Sequence, residues 1–341
     1  MDDGLRIKPR RSRCGHGQNA RNLARRADGG ALRVRNAIAL CCDRNYLPIS
    51  CFLADQIANQ NPHAPFDICI CSSEELEIPA DLAAKGVKFL HLDTGPALAK
   101  QKSGHLPVSA YLRLWLPDLL GDTYAKILYL DSDMMLEGGD LTDLFTVDMH
   151  GRAVAAVRDM QQWLRPTKHI RDFRRAGLAP APYFNSGVLM LNTAKFRDDK
   201  LLETCLQLAE TQPDAVVHHD QSLLNIALHG KWTELSPVWN WQWVGKRPLF
   251  GLTIPLRISH FAGAAKPWVD PDGICPPRYL EMLRPYLDRY FPDCGLLGTI
   301  APPNNATRGS FLRNTLEHLL IMRRIHAYHA RFDGPQHSIP V

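Results

Sequence analysis

From Val34 onward the apolar residues fall into two kinds of run. Short continuous ones, "VRNAIALCCD" (34–43), "FDICICS" (66–72), "VKFLHLD" (87–93), "AKILYLD" (125–131), "RAVAAVRD" (152–159) and "SGVLMLN" (186–192), have the length and composition of strands buried on both faces. Between them apolar residues recur at helical spacing. Leu47, Cys51, Ala54 and Ile57 or Ala58 do so in "NYLPISCFLADQIANQ", and helices are predicted near "PADLAAKG", across "VSAYLRLWLPDLL", over about 194–211 and from "DQSLLNIALHG". Strands alternating with helices predict an α/β fold with a mostly parallel sheet covered on both faces. In such sheets ligands sit beyond the carboxyl ends of the strands. Asp43, Asp131 and Asp159 each close a predicted strand there.

The remaining segments lack this alternation. Residues 1–33 are rich in Arg and Gly without apolar period, which predicts a disordered extension. A stretch from Met160 to Tyr183 is longer than a connector needs and basic, a candidate lid or acceptor-binding loop. Beyond residue 270 the chain turns Pro-rich and ends in "FLRNTLEHLLIMRRIHAYHARF" (311–332). There Leu312, Leu316, Leu319, Leu320 and Met322 alternate with Arg and His as a basic amphipathic helix. The expected division is a basic extension (1–33), a catalytic domain (34–270) and a Pro-rich segment with a C-terminal helix (271–341).

Charge sharpens that division. Residues 1–36 hold ten Lys and Arg against three Asp, and 308–333 hold five Arg against two acidic residues, although the whole chain is only +5. Two basic ends thus flank an acidic body. No apolar run nears the roughly 18 residues of a membrane span, and the first residues lack the apolar stretch of a secretion signal. The nine cysteines show no paired metal spacing. Cys41, Cys42, Cys69 and Cys71 read as buried reduced thiols. A cytoplasmic protein is expected, with no nucleic-acid motif.

The chemistry centres on "ILYLDSDMML" (127–136). Strand alternation would point Asp131 and Asp133 the same way and Ser132 the other. Two converging carboxylates call for a cation, a proton or open water between them. Alone, such a pair is also consistent with a solvated turn, or with a haloacid-dehalogenase-type phosphatase whose first Asp is a nucleophile. The segment "SHFAGAAKPW" (259–268) adds an imidazole, His260, then Gly263 and Lys266. Two carboxylates and an imidazole suit Mn²⁺, with Mg²⁺ the main competitor. Gly lets backbone approach phosphate oxygens, and Lys supplies a point charge.

The Asp-x-Asp strand, "YFNSGVLMLNTAKFR" (183–197), "HHDQSLLNIALHGKW" (218–232) and "SHFAGAAKPW", in this order and after "ALCCDRNYLPISCFL", resemble glycosyltransferase family 8 over about residues 34–270. That family includes bacterial lipopolysaccharide galactosyl- and glucosyltransferases and the glycogenins. The resemblance implies a GT-A fold, a UDP-sugar donor, dependence on Mn²⁺ and retention of anomeric configuration. It also places Asp131, Asp133 and His260 on the metal, and Asp43, Asn45 and Tyr46 on uridine. A carboxylate and an amide read a uracil edge and an aromatic stacks on it, although Asp and Asn also favour helix caps. Arg113, Ser132, Asn185, Ser186, Gly263 and Lys266 are expected around the rest of the donor, Arg113 being equally readable as a salt-bridge partner. Gln221 is expected beneath the anomeric carbon, with Asp220 and Asp159 near the sugars. The expected partners are a UDP-hexose, a saccharide or lipid-linked saccharide acceptor, and an anionic membrane surface for the C-terminal helix at the cytoplasmic face. A non-catalytic sugar-nucleotide or membrane-binding protein is the remaining alternative.

Overall fold

The computed structural model describes residues 35–94, 108–242, 251, 253–263, 265–302 and 308–341. The predicted extension at 1–33 lies outside them. Eleven strands run along the described chain: β1 (Arg35–Cys41), β2 (Phe66–Ser72), β3 (Val87–His91), β4 (Tyr124–Leu130), β5 (Met134–Leu136), β6 (Val154–Arg158), β7 (Phe184–Asn192), β8 (Thr233–Leu235), β9 (Trp241–Gln242), β10 (Ile258–His260) and β11 (Ser338–Pro340). The helices are α1 (Leu47–Gln60), α2 (Ala80–Ala84), α3 (Leu116–Leu120), α4 (Thr142–Thr146), α5 (Arg171–Arg175), α6 (Thr193–Asp198), α7 (Leu201–Thr211), α8 (His219–Leu228), α9 (Pro277–Tyr290) and α10 (Arg308–His329).

Eight strands form one sheet in the order β11-β8-β6-β7-β4-β1-β2-β3, and β5-β10-β9 form a small second sheet. The β1–β2, β2–β3, β1–β4 and β6–β8 pairs are parallel. Strand β7 runs antiparallel to both β4 and β6, and β11 antiparallel to β8. Reversal of β7 has a functional consequence. The carboxyl ends of β1, β4 and β6 and the amino end of β7 all reach the same sheet edge, so Asp43, Asp131, Asp159 and Asn185 are brought together there.

The apolar runs are continuous because both sheet faces are covered. Ile38, Leu40, Leu128, Leu130, Val188 and Met190 pack on one face with α1 and α9 residues such as Phe52, Leu53, Leu283 and Leu287. Ala37, Ala39, Ile127, Tyr129, Leu189 and Leu191 pack on the other with Leu112, Phe196, Leu223 and Trp232. Truncating one such Leu would cost about 2–5 kcal/mol. Cys41, Cys42, Cys69 and Cys71 are free and buried, as their strand positions predict.

Two predicted helices form differently. Residues 108–114 wind as a 3-10 helix before the short α3. Every residue from Tyr111 to Pro117 is buried, so packing on all sides replaces the single apolar stripe that favours an α-helix. The helix predicted over 194–211 is divided into α6 and α7 at Lys200, whose φ of 52° is left-handed and ends the first helical path. Residues 160–183 are not a bare loop either. Gln162, 1% exposed, donates to the carbonyls of Lys168 (2.9 Å) and Ala181 (3.0 Å) and accepts from the Tyr183 amide (2.9 Å), closing the segment on itself. The Asp172 carboxylate of α5 accepts from Tyr183 (2.5 Å) and Ser222 (2.7 Å), pinning the segment to α8.

In α10, Leu312, Leu316, Leu319 and Leu320 are exposed, while Ile325 and Tyr328 are buried in the main core. No helix among the described residues is long and apolar enough to cross a membrane.

Candidate active site

The chain leaves β4 at Asp131 and re-enters a strand at Met134, so Asp131 and Asp133 sit in a bend rather than on strand. They still face one way. Asp131 Oδ2 and Asp133 Oδ1 lie 3.7 and 3.4 Å from His260 Nε2. Ser132 turns back, its hydroxyl 2.7 Å from that of Ser50 in α1 and buried, so this predicted donor contact has its side chain directed into the body.

In each aspartate the other oxygen is already occupied. Asp131 Oδ1 accepts from Tyr129 (2.5 Å) and from Arg113 (2.9 Å), and Asp133 Oδ2 accepts from Lys266. One oxygen of each carboxylate is thereby anchored and one directed at the histidine. Burial raises the cost of charging Asp133, but His260, when its ring is protonated, and Lys266 outweigh it and hold its carboxyl well below the usual range. The Lys266 ammonium also donates to Phe261 O (2.6 Å), and Gly263 between them has φ +101° with open space beyond it. Only Gly adopts that conformation without strain.

His260 Nδ1 lies 2.9 Å from Asn240 Oδ1, which satisfies the ring nitrogen facing away from the carboxylates. Gly187 packs beneath. A Cβ there would fall 2.4 Å from His260 Cε1 and 2.9 Å from Asp131 Oδ2. Asp131, Asp133 and His260 bring one ligand atom each within 4.8 Å of one another, the one such acidic and imidazole group among the described residues. Anchored carboxylate oxygens and a histidine with its distal nitrogen engaged are the supports that a metal site requires, and the O, O, N set suits a divalent cation.

Arg113 joins this cluster to the sugar side. Its guanidinium, buried, donates to Ser186 O (2.8 Å), contacts Asp131 and Asp220 (3.2 Å), and lies 4.4 Å over the Tyr129 ring. Burial would lower its affinity for its proton, but Asp131 and Asp220 reverse this and raise it. Asp220 also accepts from Ser186 Oγ (3.0 Å), and burial still pushes its carboxyl above the usual range. Asp159 likewise titrates high because of burial. Its Oδ1 accepts from the Gln161 amide (2.9 Å) and its Oδ2 lies 3.5 Å from Gln221 Nε2. Gln221 Oε1 accepts from Asn185 Nδ2 and the Ser186 amide, each at 3.1 Å. At the start of α8, His219 holds φ 53° with its Nδ1 3.2 Å from the Tyr111 hydroxyl.

At the β1 end, Asp43 Oδ1 accepts from the Tyr46 amide (3.0 Å), closing the turn before α1, while Asn45 and Tyr46 are exposed. Tyr46 is only partly exposed, and the covered side of its ring raises the phenol; Lys266 opposes, and Asp133 and Asp43 add to the rise, so Tyr46 stands in the field of the acidic cluster. The fold therefore gathers Asp43, Tyr46, Arg113, Asp131, Asp133, Asp159, Asn185, Ser186, Asp220, Gln221, His260 and Lys266 along one edge. Asn240, Gly187 and Tyr129 were not anticipated. Asn240, between two tryptophans, carries no local signal, and Gly187 reads as one more strand residue.

A parallel half-sheet β3-β2-β1-β4, reversed at β7 and carrying an Asp-x-Asp cluster at its edge, has the arrangement of a GT-A glycosyltransferase fold. The chain belongs to glycosyl transferase family 8, which matches residues 37–271. It is 30% identical to general stress protein A of Bacillus subtilis over 221 residues, 60% of this chain and 71% of that one. To the lipopolysaccharide 1,2-glucosyltransferase of Escherichia coli it is 30% identical over 168 residues, 46% of this chain and about half of that one. Among solved structures it is similar to the galactosyltransferase LgtC in complex with donor and acceptor sugar analogues, with TM-score 0.58 and 22% identity over 80% of this chain and 99% of that chain. Family membership removes the phosphatase alternative.

Proposed function

We propose that this glycosyltransferase is a hexosyltransferase that moves galactose or glucose from a UDP-sugar to a saccharide or lipid-linked saccharide such as lipopolysaccharide core, with retention of configuration. One observation carries this reading: Asp131, Asp133 and His260 converge beside Lys266 at the edge where β1 and β4 end. These three side chains would hold Mn²⁺ or Mg²⁺. When bound, that cation would offset the charge growing on the departing diphosphate.

The chain's own residues do the rest. Asp43, Asn45 and Tyr46 take uridine, and Gly263 and Lys266 face the phosphates. Positive character at the anomeric carbon is stabilised by the oxygens of Asp159, Asp220 and Gln221, already oriented by Gln161, Arg113, Ser186 and Asn185. An amide is a poor nucleophile, so the acceptor hydroxyl attacks on the face that the diphosphate leaves and gives its proton to the leaving phosphate. Isolation of a glycosyl-Asp159 or glycosyl-Asp220 adduct would overturn that route.

The C-terminal helix extends the reading to a membrane surface at the cytoplasmic face. Exposed Leu312, Leu316, Leu319 and Leu320 share α10 with exposed Arg313, Arg323 and Arg324. Near anionic lipid each basic residue contributes about 1 kcal/mol. Liposome binding reversed by high salt is expected, and retention in molar salt counts against it.

The deciding experiment is a calorimetric titration of UDP with and without Mn²⁺. Tight binding only with Mn²⁺ is expected, followed by turnover of UDP-glucose or UDP-galactose when a saccharide acceptor is present. If UDP fails to bind in both conditions, the donor assignment is lost.

A further inference from the structure

We propose that Asn240 is a positioning residue that locks His260 in the tautomer presenting a bare Nε2 to the two aspartates and links that ring to Gln221. The inference rests on the metal reading above.

An amide side chain offers an oxygen and a nitrogen of nearly equal shape, so its orientation must come from partners whose roles are fixed. Two backbone amides supply them. A backbone N–H only donates. The Gly187 amide, 3.0 Å from Asn185 Oδ1, therefore makes that atom the oxygen. The Ser186 amide, 3.1 Å from Gln221 Oε1, does the same for Gln221. Asn185 then turns its Nδ2 to Gln221 Oε1 at 3.1 Å.

The next step is forced. Asn185 Oδ1 lies 2.8 Å from the Asn240 amide, and an oxygen there requires the nitrogen of Asn240. Asn240 must then direct its oxygen at His260 Nδ1, 2.9 Å away, and an acceptor opposite Nδ1 requires that this ring atom carry the hydrogen. In the neutral ring the lone pair is left on Nε2, the atom 3.7 and 3.4 Å from Asp131 Oδ2 and Asp133 Oδ1. Asn240 is 0% and His260 3% exposed, so water does not stand in for either partner. The tautomer of His260 is thus set by two backbone amides of β7 and relayed through two asparagines. Because Gln221 shares the relay, the atoms around the sugar and the histidine of the metal cluster are held in one register.

Mn²⁺ alone serves as the probe, with free Mn²⁺ read by electron paramagnetic resonance in the full chain, its Asn240→Leu variant and its Asn240→Asp variant. Leucine is close in size and offers no acceptor, so Mn²⁺ affinity should fall about 10- to 100-fold. Aspartate still accepts from His260 Nδ1 but opposes an oxygen to Asn185 Oδ1. Its Mn²⁺ affinity should stay within about threefold of wild type, or tighten, while UDP-sugar turnover falls. Leucine loses both buried hydrogen bonds of Asn240 and aspartate loses one, so both thermal midpoints should drop. If Mn²⁺ affinity follows the thermal midpoint in both variants, or is unchanged in folded Asn240→Leu, the positioning role is wrong. Should the leucine variant not fold, the aspartate variant decides: retained Mn²⁺ affinity with a lowered midpoint supports the proposal, and loss of both refutes it. Wild-type protein that binds no Mn²⁺ would remove the metal reading itself and this role with it.

Discussion

Two arginine–carboxylate networks lie in this molecule, built from the same residue types and put to opposite uses. In one, Glu234 of β8, 0% exposed, is gripped by Arg158 through two bonds (2.8 and 2.7 Å) and by Arg331 through two more (3.1 and 3.0 Å), with the Tyr328 hydroxyl at 2.9 Å. Every acceptor site is filled. In the other, Arg113 and Lys266 are the cations bonded to Asp131, Asp133 and Asp220, Asp159 joins through Gln221 at 3.5 Å, and one oxygen each of Asp131 and Asp133 is left facing an imidazole. A filled network binds chain segments to one another, whereas one with anchored but unfilled oxygens is left open to a partner from outside.

The two networks are also adjacent in sequence. Arg158 belongs to the first and Asp159 to the second. At the end of β6 successive residues turn to different tasks, and Arg158 O, accepting from Trp163 (2.7 Å) and Gln242 (3.1 Å), marks the division. Through Arg331 and Tyr328 the first network ties the end of α10 to the sheet. The residues that anchor the C-terminal segment are therefore distinct from its exposed leucines.

Substitutions should separate the two. The largest effect is expected for Asp133→Asn, which removes an oxygen directed at His260. Metal-dependent UDP-sugar turnover should fall about a thousandfold or more, with the unfolded fraction at assay temperature unchanged. Equal turnover in the variant would show that the open oxygens are not used. Next is Glu234→Gln, which leaves buried Arg158 without its counter-charge. Urea unfolding should report a loss of about 3–5 kcal/mol, with Mn²⁺ affinity of the folded fraction unaltered. A change in metal affinity there would join the two networks instead of separating them. Gly187→Ala should weaken Mn²⁺ binding about 10- to 100-fold by displacing His260 and Asp131, measured by metal titration of the folded variant. The smallest effect is Arg331→Ala. Its side chain is about one-third exposed and Arg158 remains on Glu234, so unfolding should show a loss of about 1 kcal/mol.

Much of the fold was legible because its signals are local. Strands buried on both faces must be apolar throughout, and β1, β2, β4 and β7 are spelled out as such runs. Asn192 was readable as a cap and does accept from the Lys195 amide at 3.1 Å. The site was legible where a strand end and a charged residue coincide, as at Asp43, Asp131 and Asp159. Less legible was anything set by packing around a segment. The 3-10 path of residues 108–114 follows from burial on every side, and the turn at Lys200 separates two helices that the apolar period ran together.

The sequence by itself determined the alternating α/β architecture and the acidic, imidazole and lysine side chains placed at or beyond strand ends, because strand period, helix period and side-chain chemistry act within a few residues. Tertiary structure decided which of those groups are spent and which stay open. The direction of β7 places Gly187 beside Asp131, Asn240 reaches His260 across 20 positions, and Arg331 reaches Glu234 across 97. Pairings of that kind depend on where the whole sheet puts its edges, and no window along the chain contains both partners.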